Sequence, residues 1–245
     1  MTQPTKAELN QRLLAAANAN NFEEVLTQLD LGADLSAKDD DNTTAAILLG
    51  WKGNGAAVVE LAQRDPTILT QANTSGYTAT IWLAADANQK VDDIVALAKI
   101  NPEVLLQANI HKDTPAILLA FSGHVQGVLA LARLNPDVLR QRDDKGYTCG
   151  HWLAENRYHD ALLALAAEFP EVLTIPDLKG MTVAQLYMAK RNVPMVRQML
   201  QLEPTLIYEP GVKPFMRKYD RTVMGRLSQL FWKDQPAGDR PTKKR

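Results

Sequence analysis

An all-α fold, built as a helical repeat solenoid of about six helix pairs, is what this sequence predicts. Two periodic series and one local unit carry that prediction. A threonine suited to N-capping stands at Thr44, Thr78, Thr114, Thr148 and Thr182, with spacings of 34, 36, 34 and 34 residues. A proline stands at Pro66, Pro102, Pro136, Pro170 and Pro204, with spacings of 36, 34, 34 and 34. The two series share one irregularity, a two-residue insertion placed near Asn88 to Val91. Two independent markers keeping one register define a repeat array.

The unit shows best between Asp143 and Ile175. Asp143-Asp144-Lys145-Gly146 is turn chemistry, with a carboxylate early and a glycine free to take positive φ at the end. Thr148 N-caps a helix carrying Trp152, Leu153 and Ala154, and the polar stretch Glu155 to Tyr158 breaks it. A second apolar run follows, Leu162, Leu163, Leu165 and Ala166. Pro170, which lacks the N–H and clashes with the preceding turn, ends it. Turn, helix, break, helix and proline make a helical hairpin with a loop at each end.

In chain order, residues 1–7 are expected to fray. Residues 8–41 form a capping helix pair, with Leu9, Leu13 and Leu14 on the first helix and Val25, Leu26 and Leu29 on the second. Asn10, Gln11, Arg12, Asn18, Asn20 and Asn21 suit an outer face that meets water. Repeats follow at 42–75, 76–111, 112–145, 146–179 and 180–211. In the repeat 112–145, Pro115 takes the first helical position, where its missing donor costs nothing.

The period breaks after Pro210-Gly211. Phe215, Tyr219, Val223, Leu227 and Leu230 with Phe231 recur at near-helical spacing, while Lys213, Arg217, Lys218, Arg221, Arg226 and Lys233 lie elsewhere on the circuit. Residues 212–233 are therefore predicted as one basic amphipathic helix. Residues 234–245, with two prolines, a glycine and Lys243-Lys244-Arg245, are expected to be disordered.

The turn-plus-two-helices unit resembles the ankyrin repeat over about residues 8–210. The pieces that carry the likeness are Gly76-Tyr77-Thr78, Thr114-Pro115, Gly123-His124, and Gly146-Tyr147-Thr148 with His151; Gly32 to Asp39 is similar to the family's loop. The family's histidine stands only at His151 and is replaced by Ile47, Ile81, Ile117 and Gln185. The departure weakens any expectation about that histidine's loop-bracing bonds. After the second helix the usual Gly-Ala-Asp becomes Asn/Asp-Pro-x-Val/Ile-Leu, as in Asn101-Pro102-Glu103-Val104-Leu105. The tetratricopeptide repeat shares the period but lacks the Gly-x-Thr turn.

Composition bounds the function classes. Apolar content is 46% and aromatic content only 6%, which suits helices packed through Ala and Leu. The single cysteine, Cys149, excludes an internal disulfide and suits a reducing compartment. No basic-then-apolar leader opens the chain, and no apolar run reaches the roughly 18 residues of a membrane span, so a cytoplasmic setting is expected. The net charge of −1 hides an asymmetry. Residues 1–211 hold 17 Lys/Arg against 25 Asp/Glu, whereas 212–245 hold ten against three. An acidic array with a basic end disfavours nucleic acid as partner, because only the end would release counterions.

No catalytic or metal site is expected, and no cofactor. Cys149 and His151 open one helix, where positions i and i+2 point apart. One thiolate with scattered histidines gives no zinc spacing, and no phosphate-cradling glycine loop is present. Trp82 and Trp152, four residues after their threonines, read as framework. Tyr77, Tyr147, Trp51 and Phe121 recur at positions where the family makes contacts, and they are expected as an anchor row, against packing between loops as the alternative.

The resemblance implies a non-enzymatic module that binds another protein through its concave face and is itself monomeric. Carried over position by position, the contacts are Asp40, Thr43, Trp51 and Lys52 in the first repeat, and Tyr77, Ala85 and Asp86 in the second. His111, Asp113, Phe121 and Ser122 follow in the third, then Asp144, Lys145, Tyr147, Glu155 and Asn156 in the fourth, and Lys179, Met181 and Lys190 in the fifth. The Asn-Pro-x-Val-Leu variant is similar to ankyrin proteins that intracellular bacterial pathogens deliver into a host cytosol as effectors; a plain cytosolic scaffold is the alternative. For 212–233 two readings stand: a cap over Val183, Leu186, Tyr187, Val196, Met199 and Leu200 at the array's end, or a helix lying on an anionic membrane surface.

Overall fold

The computed structural model describes residues 3–86 and 91–220. Thirteen α-helices run through them: α1 (Lys6–Asn18), α2 (Phe22–Asp30), α3 (Ala45–Trp51), α4 (Gly55–Arg64), α5 (Ala79–Ala85), α6 (Val91–Ile100), α7 (Pro115–Phe121), α8 (Val125–Leu134), α9 (Cys149–Glu155), α10 (His159–Glu168), α11 (Val183–Ala189), α12 (Val193–Leu202) and α13 (Val212–Tyr219). The odd helices from α1 to α11 pack in succession as one layer, and the even helices from α4 to α12 form a second behind them. Among the described residues the only β-pairing is an isolated bridge between Lys38 and Thr44. No described helix is long and apolar enough to cross a membrane.

Each predicted threonine is the N-cap of an odd helix. The hydroxyls of Thr44, Thr78, Thr114 and Thr182 accept from the N–H three residues on, at 3.3–3.4 Å. The odd helices are seven residues long from α3 to α11. Isolated helices of that length do not hold in water, so their order comes from packing. Small residues permit it: a Cβ on Gly50 would meet the carbonyl oxygen of Ala79 at 2.6 Å, so the backbones of α3 and α5 touch there.

The proline series does more than stop the even helices. Each proline opens a 3-10 turn, as in Pro66–Thr70 and Pro102–Leu105. The residue before it closes the turn's start: Asp65, Asn101, Asn135 and Glu203 accept from the N–H two residues on at 2.9–3.0 Å. The apolar pair that follows is driven into the core, with Val104, Val138 and Val172 at 0% exposure and Leu105, Leu139 and Leu173 at 1% or less. Each such side chain contributes about 1.5–3 kcal/mol of burial. The departure from the family's usual loop is thus a second apolar plug between layers.

Two expectations about the ends are corrected. Residues 5–7 are ordered: Thr5 caps α1, its N–H donating to the Glu8 carboxylate at 2.8 Å while Glu8 N–H donates to the Thr5 hydroxyl at 3.3 Å. The Thr-x-x-Glu pattern is a capping box. At the other end α13 stops at Tyr219, because Asp220 leaves helical geometry at φ −149°, so 212–233 is not one continuous helix. The apolar face differs too. Val212 and Met216 are at 0% exposure, whereas Phe215 is half-buried and Tyr219 is 41% exposed. Residues 221–245, including Val223, Leu227, Leu230 and the expected disordered end, lie outside the described residues, as do 87–90 around the insertion.

The cap itself is present. α13 packs on α11 and on the Pro204–Tyr208 turn, and Val183, Leu186, Tyr187, Val196, Met199 and Leu200 are all buried. The Arg197 guanidinium reaches the nearly buried Asp220 carboxylate and pins the end of α13 to α12. Val212 and Met216 are thus the side chains this helix commits to the array, while Phe215 stays half-buried and Tyr219 exposed. Met216→Ala should therefore lower unfolding free energy by about 2–4 kcal/mol, against less than about 1 kcal/mol for Tyr219→Ala. Urea titration of both variants measures this, and equal losses would restore the Phe215/Tyr219 stripe.

Candidate partner-binding face

The loops that carry most of the expected contacts are built on one repeated side chain. Asp39, Asn73, Asn109, Asp143 and Asp177 each use Oδ1 to accept two backbone N–H groups, from the residues two and four positions on, at 2.8–3.1 Å. Their own N–H donates to the carbonyl of the fourth residue at 2.8–3.2 Å, which closes the loop. The residue three positions on takes positive φ: Asn42 at 59°, Gly76 at 76°, Lys112 at 61°, Gly146 at 86° and Gly180 at 79°. At Gly146 a Cβ would also strike Leu178 at 2.5 Å, so glycine serves both conformation and contact. Successive loops are joined by backbone bonds from Thr74 to Asp41, Ile110 to Ser75 and Asp144 to His111, at 2.8–3.1 Å.

Two loops are braced from the helix below. The His151 ring, buried, meets the Thr148 hydroxyl at 2.8 Å through Nδ1 and the Met181 carbonyl at 2.9 Å through Nε2. Gln185, the residue standing in for that histidine one repeat later, does the same work: it accepts from Thr182 N–H at 2.9 Å and donates to the Pro210 carbonyl at 3.3 Å. Ile47, Ile81 and Ile117 are simply buried. Cys149 is buried beside this brace, with its thiol pushed up to about 12 by loss of solvation, so it is not a nucleophile at neutral pH.

Two grooves open between the loops and the odd helices. The first, of about 580 Å³, is lined by Asp39, Asp41, Ile47, Leu48, Trp51 and Trp82 among others. The second, of about 230 Å³, is lined by Asp113, Ile117, Leu118, Phe121, Asp144 and Trp152 among others. Trp51 and Trp82 are 6.4 Å apart at 50°, and Phe121 and Trp152 are 4.9 Å apart at 80°. Trp152 is buried and donates its indole N–H to Asp143 at 2.8 Å. That bond and the two turn bonds use both oxygens of one carboxylate.

The expected contact residues divide. Trp51 and Phe121 are 54% and 50% exposed. Asp40, Lys52, Ala85, His111, Ser122, Asp144, Lys145, Glu155, Lys179 and Lys190 are exposed as well, and Asp86, Asp113, Asn156 and Met181 are half-buried. The second groove gathers His111, Asp113, Phe121, Asp144 and Lys145. Other expected contacts already have structural work. Glu155 and Lys190 pair with each other at 2.8 Å, the Asn156 amide donates to the Phe121 carbonyl at 2.8 Å, and Met181 receives His151. Thr43 is buried and lines the first groove. Tyr77 and Tyr147 are half-buried and packed on neighbouring rings: Tyr77 stacks on Trp82 at 4.2 Å, and Tyr147 lies 5.3 Å from Trp152 and 5.7 Å from His151. Trp82, read as framework, lines a groove. Asp41 and the Asx series were overlooked, although the Asx positions repeat at spacings of 34, 36, 34 and 34.

No family model matches the chain, and no curated protein matches it. Among solved structures, the crystal structure of EF0377, an ankyrin repeat protein, is similar with a TM-score of 0.67 at 19% identity, covering 78% of this chain and 98% of that one. A likeness at that identity establishes the fold, an ankyrin-repeat array.

The brace carries a pH signature. Burial lowers the His151 pKa, with the Met181 carbonyl opposing it, so the folded state favours neutral imidazole. The linked stability is complete above the unfolded value of about 6.5 and is lost as pH falls below it towards the folded value. Melting temperature should fall between pH 7 and pH 5.5 in the native chain, and His151→Gln, copying position 185, should flatten that fall at a neutral-pH cost of about 1 kcal/mol or less. An unchanged pH slope in the variant would place the effect elsewhere.

Proposed function

We propose that this chain is a non-enzymatic protein-interaction module that grips a partner protein across the concave face made by its loops and odd helices. The ankyrin-repeat fold supports the general class, and one observation carries the choice of face. The large exposed aromatics Trp51 and Phe121 stand there, each over a groove with an apolar floor and a carboxylate rim. Aromatic anchors in a pocket, ringed by polar groups, are the anatomy of interface hot spots. The loops are closed by their own hydrogen bonds, so little ordering entropy is spent on binding. As to setting, the proposal is a scaffold acting in a cytosol, and the resemblance to delivered effectors makes a host-cell cytosol the setting to examine first.

Affinity capture by the full chain, with and without Trp51→Ala and Phe121→Ala together, tests the face. Each hot-spot loss of about 2 kcal/mol lowers affinity roughly 30-fold, so a genuine partner should drop out of the double variant. Melting should change little, since exposed substitutions cost within about 0.5 kcal/mol each. Tyr77→Ala and Tyr147→Ala should behave oppositely, costing about 1 kcal/mol or more of stability through their stacked rings. A partner that survives the double variant but is lost when the Arg133–Glu168 pair between α8 and α10 is removed would overturn this face.

A further inference from the structure

The aromatics follow a rule with twice the period of the repeat. Four residues after the capping threonine the chain reads Leu48, Trp82, Leu118, Trp152, Leu186; seven residues after it, Trp51, Ala85, Phe121, Glu155, Ala189. The tryptophan of one repeat meets the aromatic of the repeat before it at the first and third junctions, as Trp51 with Trp82 and Phe121 with Trp152, whereas the fourth carries a different pair at other positions, His159 with Tyr187 at 5.5 Å. The intervening junctions close with Leu118 and Leu186 and small or charged neighbours. A junction therefore closes without aromatics at these two positions. The tyrosines before the threonines keep the same alternation, Tyr77 and Tyr147 against Thr43, Asp113 and Met181, and the two grooves coincide with the two aromatic pairs.

Both grooves are set for a cation. Asp39 and Asp41 border the first, Asp113 and Asp144 the second, and residues 1–211 carry 25 acidic against 17 basic groups. At each site the protein already lays an ammonium on the aromatic face, Lys52 Nζ at 4.2 Å from Trp51 and Lys145 Nζ at 4.8 Å from Trp152. These lysines come from non-equivalent positions, so the ring rather than the loop sequence is what the two contacts have in common. We infer that the grooves are two copies of one receptor site, and that they take two arginine side chains from a single extended, basic segment of the partner. Arginine fits both features, since its plane stacks on indole and its fork meets carboxylate. Inner helices about 8–10 Å apart place the grooves roughly 16–20 Å from each other, the reach of about five to six extended residues. This assignment rests on the proposed binding face.

The test titrates the full chain with short Gly-Ser peptides carrying two arginines about five residues apart, one arginine, two adjacent arginines, or two leucines at the wide spacing. The widely spaced arginine pair should bind at least about tenfold tighter than each of the others. Trp51→Ala or Phe121→Ala alone should reduce it to the single-arginine level. Lys52→Ala with Lys145→Ala should tighten it, because the resident cations no longer compete. Leucines binding as well as arginines, indifference to spacing, or indifference to either aromatic would overturn the assignment. Displacement of the arginine pair by a lower concentration of a synthetic 221–245 segment would make the chain's own basic end the occupant, and would overturn a separate partner. If no peptide binds while the Trp51/Phe121 variant still loses a captured protein, the arginine assignment falls and the binding face stands.

Discussion

One side-chain oxygen per repeat, on Asp39, Asn73, Asn109, Asp143 and Asp177, organises much of what this array presents to its surroundings. By accepting two backbone N–H groups, each oxygen closes a loop that would otherwise leave polar groups unpaired at the mouth of an apolar groove. Closed loops lie in register, so the backbone bonds from Thr74, Ile110 and Asp144 can cross to the loop before. The same register delivers each threonine to the start of its helix. Asp143 shows how far the constraint reaches, because its second oxygen holds the Trp152 indole and thereby the floor of the second groove. A surface held this way has little freedom to lose on binding.

Core burial and exposed rings are divided between the two ends of each unit. The proline-led 3-10 turns sink a pair of apolar side chains between the layers, as Val138 and Leu139 do, and nothing polar is asked of them. The loop ends carry the charges and the exposed rings. His151 and Gln185 connect the two, since each reaches from the start of one helix to the carbonyl of the following loop. Isoleucine at the other three equivalent positions gives up that bond and fills an equally buried place with an apolar side chain.

What was legible in the sequence was whatever repeats with a fixed local cause. A threonine before a short apolar run and a proline after a longer one each have one mechanical meaning, and both series mark helix ends in the structure. The C-terminal helix was half legible. Helical spacing revealed an amphipathic segment, but a face is chosen by what it packs against, and the array's end selects Val212 and Met216 over Phe215 and Tyr219. Residues expected as contacts by analogy of position differ in exposure according to where their side chains turn. Trp51 and Phe121 stand out from the ends of their helices, whereas Tyr77 and Tyr147 fold back onto the tryptophans five residues on, a contact that spacing alone does not announce.

The alternation of tryptophan and leucine bears on how such a surface arises. In an array whose stability is a sum of nearest-neighbour terms, every junction faces the same packing problem and accepts the same solution. Residues that depart from the common solution at every second junction answer to something with a longer period than the repeat. Here the departures at 51, 77 and 82 are matched at 121, 147 and 152, always 70 residues on, while the buried frame of Ile47, Leu49 and Leu61 recurs as Ile117, Leu119 and Leu131 at the same distance. The frame keeps the single period as well, since Ile81, Leu83 and Leu97 fill the same places in the repeat between. The double period belongs to the rings alone, so the two proposed receptor sites fall at alternate junctions of a frame that repeats at every one.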